Sequence, residues 1–317
     1  MEVLVTGAAG FIGSNLVDRL LADGHVVVGV DDLSTGKLEN LSDARREGGD
    51  RFVFYRADIC DEETRGLILR HRPEAICHLA AQIDVRASVA DPIRDAQVNL
   101  IGLLNVAQSA VEAGTRRIVF ACSGGTIYGE PDTMPVPETY PGRPLSPYGV
   151  SKRAGEDYLH VMAALHGLEY VSLALANVYG PRQDPFGEAG VVAIFASKML
   201  EGQPAMVFGD GLQARDFIFV DDVADAFARA LSRGAGRRFN VGTGQLTTVL
   251  ELYREIAAAT GYEREPVFAP ERLGELRRIS LDVARAAEGL EWRPWTDLAS
   301  GIRATVAWFR ERSRAGA

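Results

Sequence analysis

The chain alternates short apolar runs with longer stretches in which apolar residues recur at helical spacing. Val3–Thr6, Val26–Val30, Phe52–Arg56, Ala75–Leu79, Ile118–Ala121 and Tyr170–Leu175 read as strands, and helical patterns fill the intervals. That alternation predicts right-handed βαβ crossovers and a doubly wound parallel sheet covered by helices on both faces. The stretch from Asn177 to Gly211 is richer in Gly and Pro and predicts loops of a smaller lobe over the sheet's carboxyl edge. Beyond it the pattern resumes, with a strand at Asp216–Val220, a helix at Val223–Ser232, a strand at Arg238–Val241 and a helix at Val249–Thr260. The expected organisation is α/β, with one domain over residues 1–176 and a smaller, partly interwoven α/β domain over 177–317, of which segments around 212–260 return to the first.

Composition narrows the partners. The 317 residues carry 34 Lys+Arg against 43 Asp+Glu, a net charge of −9, and 47% are apolar, which excludes a disordered or collagen-like chain. An acidic surface repels nucleic acid, so an anionic ligand would need a few local arginines. Cys60, Cys77 and Cys122 are odd in number and unpatterned, and read as reduced core fillers. The opening residues leave no room for a signal peptide, and no apolar run reaches the length of a membrane span, so a cytoplasmic protein without membrane partners is expected. His25, His71, His78, His160 and His166 form no ligand cluster, and no metal is expected.

The chemistry begins directly after the first strand. Gly7, Gly10 and Gly13 open a helical pattern near Phe11, where main-chain N–H groups at a helix start can face a pyrophosphate. Asp31 ends the second strand, where a carboxylate accepts hydrogen bonds from an adenosine ribose and repels a 2′-phosphate, so NAD is favoured over NADP. Asp32 reads first as a turn residue. Asp58, past the third strand, suits either the adenine edge or a helix cap.

Tyr148 and Lys152 stand four residues apart on one face of a predicted helix. A phenol ionises near pH 10, and an adjacent ammonium favours the phenolate, which makes Tyr148 a plausible acid/base. Lysine is rare here: Lys37, Lys152 and Lys198 are the only three. Ser123 and Thr126 follow the fifth strand and are alternative hydroxyls for a reacting sugar or carbonyl oxygen, with Ser123 preferred.

At this point the chain resembles the extended short-chain dehydrogenase/reductase family, and within it the UDP-glucose 4-epimerases, over nearly its whole length. The resemblance rests on TGAAGFIGS at Thr6–Ser14, VDDLSTGK at Val30–Lys37, HLAAQ at His78–Gln82, the hydroxyl loop, SPYGVSK at Ser146–Lys152, ANVYGPRQ at Ala176–Gln183, ARDFIFVDDVA at Ala214–Ala224 and FNVGTG at Phe239–Gly244. It implies a Rossmann-type first domain, a substrate-binding second domain, and NAD contacts at Gly7, Gly10, Phe11, Ile12, Gly13, Asp31, Asp32, Ser34, Thr35, Gly36, Asp58, Ile59, Leu79, Ala80, Ala81, Gln82, Asn99, Tyr148 and Lys152. On the substrate side it implies Ser123, Tyr148, Asn177, Val192, Arg215 and Arg272, with Phe208 stacking on uracil. The implied cycle oxidises sugar C4, lets the 4-keto sugar rotate and reduces it on the opposite face. Tyr148 would remove the O4 proton, Lys152 would lower its pKa and Ser123 or Thr126 would orient O4.

Two departures from the family pattern matter. Gly124-Gly125 lengthens the hydroxyl loop by one residue, and it stands where the family's dehydratases carry an Asp-Glu pair, which disfavours 4,6-dehydration. Glu275 replaces the family's Asp three residues after Arg272. Seven residues after Arg272, Ile279 with Ser280 beside it borders the position that influences N-acetyl acceptance. The sugar therefore stays open between glucose, N-acetylglucosamine and glucuronate, with Arg86 and Arg182 as cations for a C6 carboxylate. A non-catalytic NAD-binding sensor is the alternative from another class, and it would need neither Tyr148 nor Lys152. Helical stretches at Pro92–Ala113 and Tyr148–His166 resemble the pair through which family members dimerise, so a homodimer is expected.

Overall fold

Val3, Leu4 and Val5 expose no surface, as a strand covered by helices on both faces requires. They lie in β1 (Glu2–Thr6) of a computed structural model that describes residues 1–185, 190–271 and 276–315. The chain continues through α1 (Phe11–Ala22), β2 (Val26–Asp31), α2 (Ser42–Glu47), β3 (Phe52–Arg56), α3 (Glu62–His71), β4 (Ala75–His78), α4 (Val85–Ala90), α5 (Pro92–Ala96) and α6 (Leu103–Ala113). Next come β5 (Arg117–Ser123), α7 (Pro147–His166), β6 (Glu169–Leu175), β7 (Asn177–Tyr179), α8 (Val191–Leu200), β8 (Met206–Phe208), β9 (Ala214–Arg215) and β10 (Phe217–Phe219). The remainder forms α9 (Val220–Ala230), β11 (Arg237–Val241), β12 (Thr247–Thr248), α10 (Val249–Thr260), β13 (Val267–Ala269), β14 (Arg278–Ile279), α11 (Ala284–Gly289) and α12 (Leu298–Ala315).

Among the described residues, the large sheet has seven parallel strands in the order β11-β6-β5-β4-β1-β2-β3, a Rossmann-type doubly wound arrangement. Chain direction across the sheet reverses between β1 and β4, so the ligand crevice of such a sheet lies beyond their carboxyl ends. One core packs α1 and α9 on a sheet face through Leu16, Leu20, Phe227 and Phe239; the other packs α3, α6 and α7 through Ile68, Val106, Phe120 and Leu159. A third core, with Phe195, Val207, Phe219, Leu252, Ile256 and Val306, lies outside the sheet. β11 pairs with β6 at the sheet's edge, so the chain returns to this sheet after building β7–β10.

Several boundaries depart from the sequence pattern. Asn177–Gly211 contains β7, α8 and β8 rather than loops alone, because the Gly and Pro residues flank elements whose centres are apolar. The helix expected over Pro92–Ala113 is interrupted by a π-helical turn at Gln97–Gly102, which carries Asn99. The strand expected from Asp216 begins one residue later, since Asp216 turns inward to accept hydrogen bonds from Thr243, Gly244 and Leu281. Cys77 and Cys122 are buried, whereas Cys60 is only half-buried, its thiol 3.5 Å from the Gln97 carbonyl and pushed up to about 11, chiefly by desolvation.

Candidate active site

The glycine turn is shaped by close approach of main chain. Gly7 has φ +71°, and a Cβ there would stand 2.7 Å from the Ala80 nitrogen in the loop after β4. Gly13 faces the Gly7 carbonyl so closely that a Cβ would overlap it, which seats α1 directly on the turn. Gly13→Ala is therefore expected to destabilise the fold by about 1–3 kcal/mol, read as a lower urea midpoint. Gly10 caps α1 without a side chain, and the first-turn N–H groups have no side-chain acceptor. Phe11 and Ile12, half-buried, begin that helix.

Asp31 stands beside this turn. Its carboxylate accepts from the N–H of Ala9 at 2.9 Å and of Leu33 at 2.8 Å, which offset the burial that pushes its pKa up. Gly36 closes the cradle, for a Cβ there would lie 2.7 Å from Asp31 Oδ1. Asp32 does serve the turn, accepting from the Ser34 N–H and hydroxyl, and leaves Thr35 exposed. Asp58 is not a helix cap. It accepts from the Cys60 N–H at 2.9 Å, and Asp61 occupies the cap position of α3, next to buried Ile59.

The loop Leu79–Gln82 is tied to both neighbours. Thr6 Oγ1 accepts from the N–H groups of Leu79 and Ala80, and Asn99 clamps Gln82 by accepting from its N–H at 2.8 Å and donating to its carbonyl at 2.9 Å. Ala81, half-buried, lies between these anchors. The uncapped helix start, the Asp31 cradle and this loop therefore fit a dinucleotide.

Tyr148 and Lys152 occupy the first turns of α7. Ser146 caps the helix by accepting from the Gly149 N–H, Pro147 begins it, and Ser88 of α4 accepts from the Tyr148 N–H at 3.2 Å. Lys152 is 2% exposed. Its Nζ donates to the Ala121 carbonyl at 3.0 Å and lies 4.9 Å from the Phe120 ring centre and 5.9 Å from that of Tyr148. Burial lowers the Lys152 pKa to about 8. His78, also buried, is lowered by desolvation and then by Lys152 to about 3, and so is neutral.

Ser123 ends β5 rather than standing in the loop, and its carbonyl accepts from the N–H groups of Thr126 and Ile127. The Thr126 hydroxyl is buried and has no hydrogen-bond partner among the described residues. The adjoining Gly124 is dictated by packing. A Cβ there would collide with Leu281 and come within 3.1 Å of the carbonyls of Ala174 and Leu175.

Asn177 begins β7, exposed, two residues beyond Leu175, the register partner of Ser123. Arg215 is half-buried in β9, held between β12 and β14, and Phe208 is half-buried at the end of β8 opposite Ala269. Arg272 and Glu275 lie outside the described residues. Val192, near the start of α8, exposes no surface and packs in the third core. Arg182 pairs through Nη2 with Asp18 at 2.6 Å and Asp43 at 3.2 Å, and its buried Nη1 has no hydrogen-bond partner among the described residues. Arg86 is exposed on α4. Sequence reasoning missed Thr6, Ser88 and Ser151 as structural supports, because their partners are distant in the chain.

Residues 3–242 match the model of the NAD dependent epimerase/dehydratase family, and the chain belongs to that family. It is 54% identical over 315 residues to a UDP-glucose 4-epimerase of Mycolicibacterium smegmatis, covering 99% of this chain and 100% of the relative. Among solved structures, the UDP-glucose 4-epimerase of Thermotoga maritima with UDP-glucose superposes with a TM-score of 0.95 at 46% identity, covering 99% of this chain and 100% of that one. The Thermus thermophilus UDP-glucose 4-epimerase in complex with NAD gives 0.90 at 44% identity, covering 98% and 99%. Among the described residues, no helix is long and apolar enough to cross a membrane.

Proposed function

We propose that this protein interconverts UDP-glucose and UDP-galactose by NAD-dependent epimerisation at C4. The observation that carries the reading is the wholly buried Lys152 beneath Tyr148, at the carboxyl edge of a sheet whose glycine turn and Asp31 cradle fit NAD. When bound, NAD⁺ supplies a reversible acceptor for the C4 hydride. Tyr148 takes the O4 proton as C4 is oxidised and returns it when C4 is reduced. Lys152 favours the phenolate by its charge. Thr126 and Ser123 orient O4, and the unpartnered Thr126 hydroxyl is suited to accept or donate there. Asn177, Phe208, Arg215 and Arg272 hold the UDP moiety. The chain divides at 176/177 into an NAD-binding and a mainly substrate-binding domain; of the later segments α9 and β11 return to the first, whereas α10 packs in the third core.

Dehydration finds no support, since Gly124-Gly125 puts no carboxylate in the hydroxyl loop after Ser123. A passive NAD sensor would gain nothing from an ammonium buried at the cost of its hydration. Chromatography of UDP-glucose, UDP-N-acetylglucosamine and UDP-glucuronate, each incubated with purified protein, tests the reading. Conversion of UDP-glucose is expected; conversion of another sugar alone would overturn the assignment.

The active form is a homodimer in the cytoplasm. α5, the π-helical turn and α7 expose apolar side chains at Ile93 (81% exposed), Ile101, Val150, Val161 and Leu165 (71%). The free thiols suit a reducing compartment. Sedimentation is expected to give twice the 34.3 kDa chain mass for the natural protein and a monomer for Val161→Glu. A monomeric natural protein would contradict this.

A further inference from the structure

Asp95 of α5 has no part in the mechanism above, yet it is fully buried. Its Oδ2 accepts from the Ser151 hydroxyl at 2.6 Å, and its Oδ1 accepts from Asn99 Nδ2 at 2.9 Å and Gln82 Nε2 at 3.2 Å. Among the described residues no ion pair neutralises it at salt-bridge distance. A carboxylate can take all three donors, whereas an amide would bring two N–H groups of its own into the same space. The three donors come from three segments: Ser151 from α7, between Tyr148 and Lys152; Asn99 from the π-helical turn; and Gln82 from the loop after β4. The nearest buried cation in sequence to this hub is Lys152, whose one hydrogen-bond acceptor among the described residues is the Ala121 carbonyl.

We propose that Asp95 is a positioning residue for the epimerisation, fixing the Tyr148–Lys152 turn against the cofactor-side loop and supplying the negative charge that steadies Lys152 as a cation. The proposal rests on the functional reading above. Ser151 carries the mechanical part, because a hydrogen bond on the residue before Lys152 sets the rotation of that turn. Asp95's charge carries the electrostatic part, acting on Lys152 through a medium of low dielectric. The other titratable groups facing Lys152 are Tyr148 on its own helix, Cys122 from β5 and His78 from β4. Between pH 6 and 9 His78 stays neutral, and the Cys122 thiol, pushed up by burial to about 11, stays protonated.

Asp95→Asn and Ser151→Ala, each purified with its cofactor, separate the two parts. Asp95→Asn is expected to lower kcat by about tenfold with little change in KM for UDP-glucose, and to move the alkaline limb of the kcat profile to lower pH by about half a unit. Ser151→Ala keeps the charge, so its kcat falls by a few-fold while the limb stays in place. Unchanged kcat in both variants would overturn the proposal. So would a lower melting temperature in Asp95→Asn with kcat and pH limbs unmoved, which is the signature of a merely structural carboxylate. Should Asp95→Asn fail to fold, Ser151→Ala decides the positioning claim, and unchanged turnover there refutes it. The natural protein is assayed alongside: if it leaves UDP-glucose unconverted, the functional reading fails rather than the role of Asp95.

Discussion

Tyr148→Phe is expected to lower kcat by about 10²–10⁴-fold while leaving bound NAD and the melting temperature at natural levels. The change removes one oxygen from a half-buried ring whose main-chain N–H is already held by Ser88, so the turn that carries it keeps its shape. What is lost is the group that takes the O4 proton. Without it the oxidation of C4 must release a proton to water, and the barrier rises accordingly. Cofactor content is measured by absorbance after denaturation and turnover by product chromatography. A variant that retains half its activity would remove Tyr148 from the chemistry.

Lys152→Met is expected to be as inactive as the tyrosine variant and yet no less stable. Burial lowers the Lys152 pKa to about 8, so the ammonium is charged below that pH and is lost above it. Because the phenolate at Tyr148 depends on that cation, kcat of the natural protein should fall on the alkaline side as pH passes about 8. For stability the sign is opposite to that of a salt bridge. Unfolded lysine ionises near 10.4, so between the two values the unfolded chain binds more protons and stability rises with pH. The cost of burying the charge is fully present below pH 8, and methionine removes it. Urea unfolding at pH 7 should therefore favour Lys152→Met or leave the two equal, with any gap narrowing toward pH 10. A variant much less stable at pH 7 would show that Lys152 is held for structure.

The parts of the site written in local spacing were legible from the sequence. A glycine every three residues after a strand, a carboxylate at the end of the next strand and a tyrosine four residues before one of only three lysines each state a geometry within one element. The parts made by pairing across the fold were not. Nothing near Asp95 in the chain announces Ser151, 56 residues on, and nothing near Thr6 announces the loop it holds 73 residues later. Arg182 reads as an available cation until α1 and α2 bring Asp18 and Asp43 to it. Val192 matched a family position, but its place in one core with Leu252 and Ile256 of α10 depends on residues some sixty positions further on. The π-helical turn around Asn99 has no periodic signature, because one extra residue per turn leaves the apolar pattern nearly continuous.

The central claim is that one hydrogen leaves C4 and returns to the same carbon on the opposite face. UDP-glucose deuterated at C4, incubated with the purified protein in ordinary water, tests it directly by mass spectrometry and proton NMR of the product. UDP-galactose retaining the deuterium at C4 is predicted, with slower turnover than for the unlabelled sugar. Product that has exchanged its label for solvent hydrogen would contradict the account.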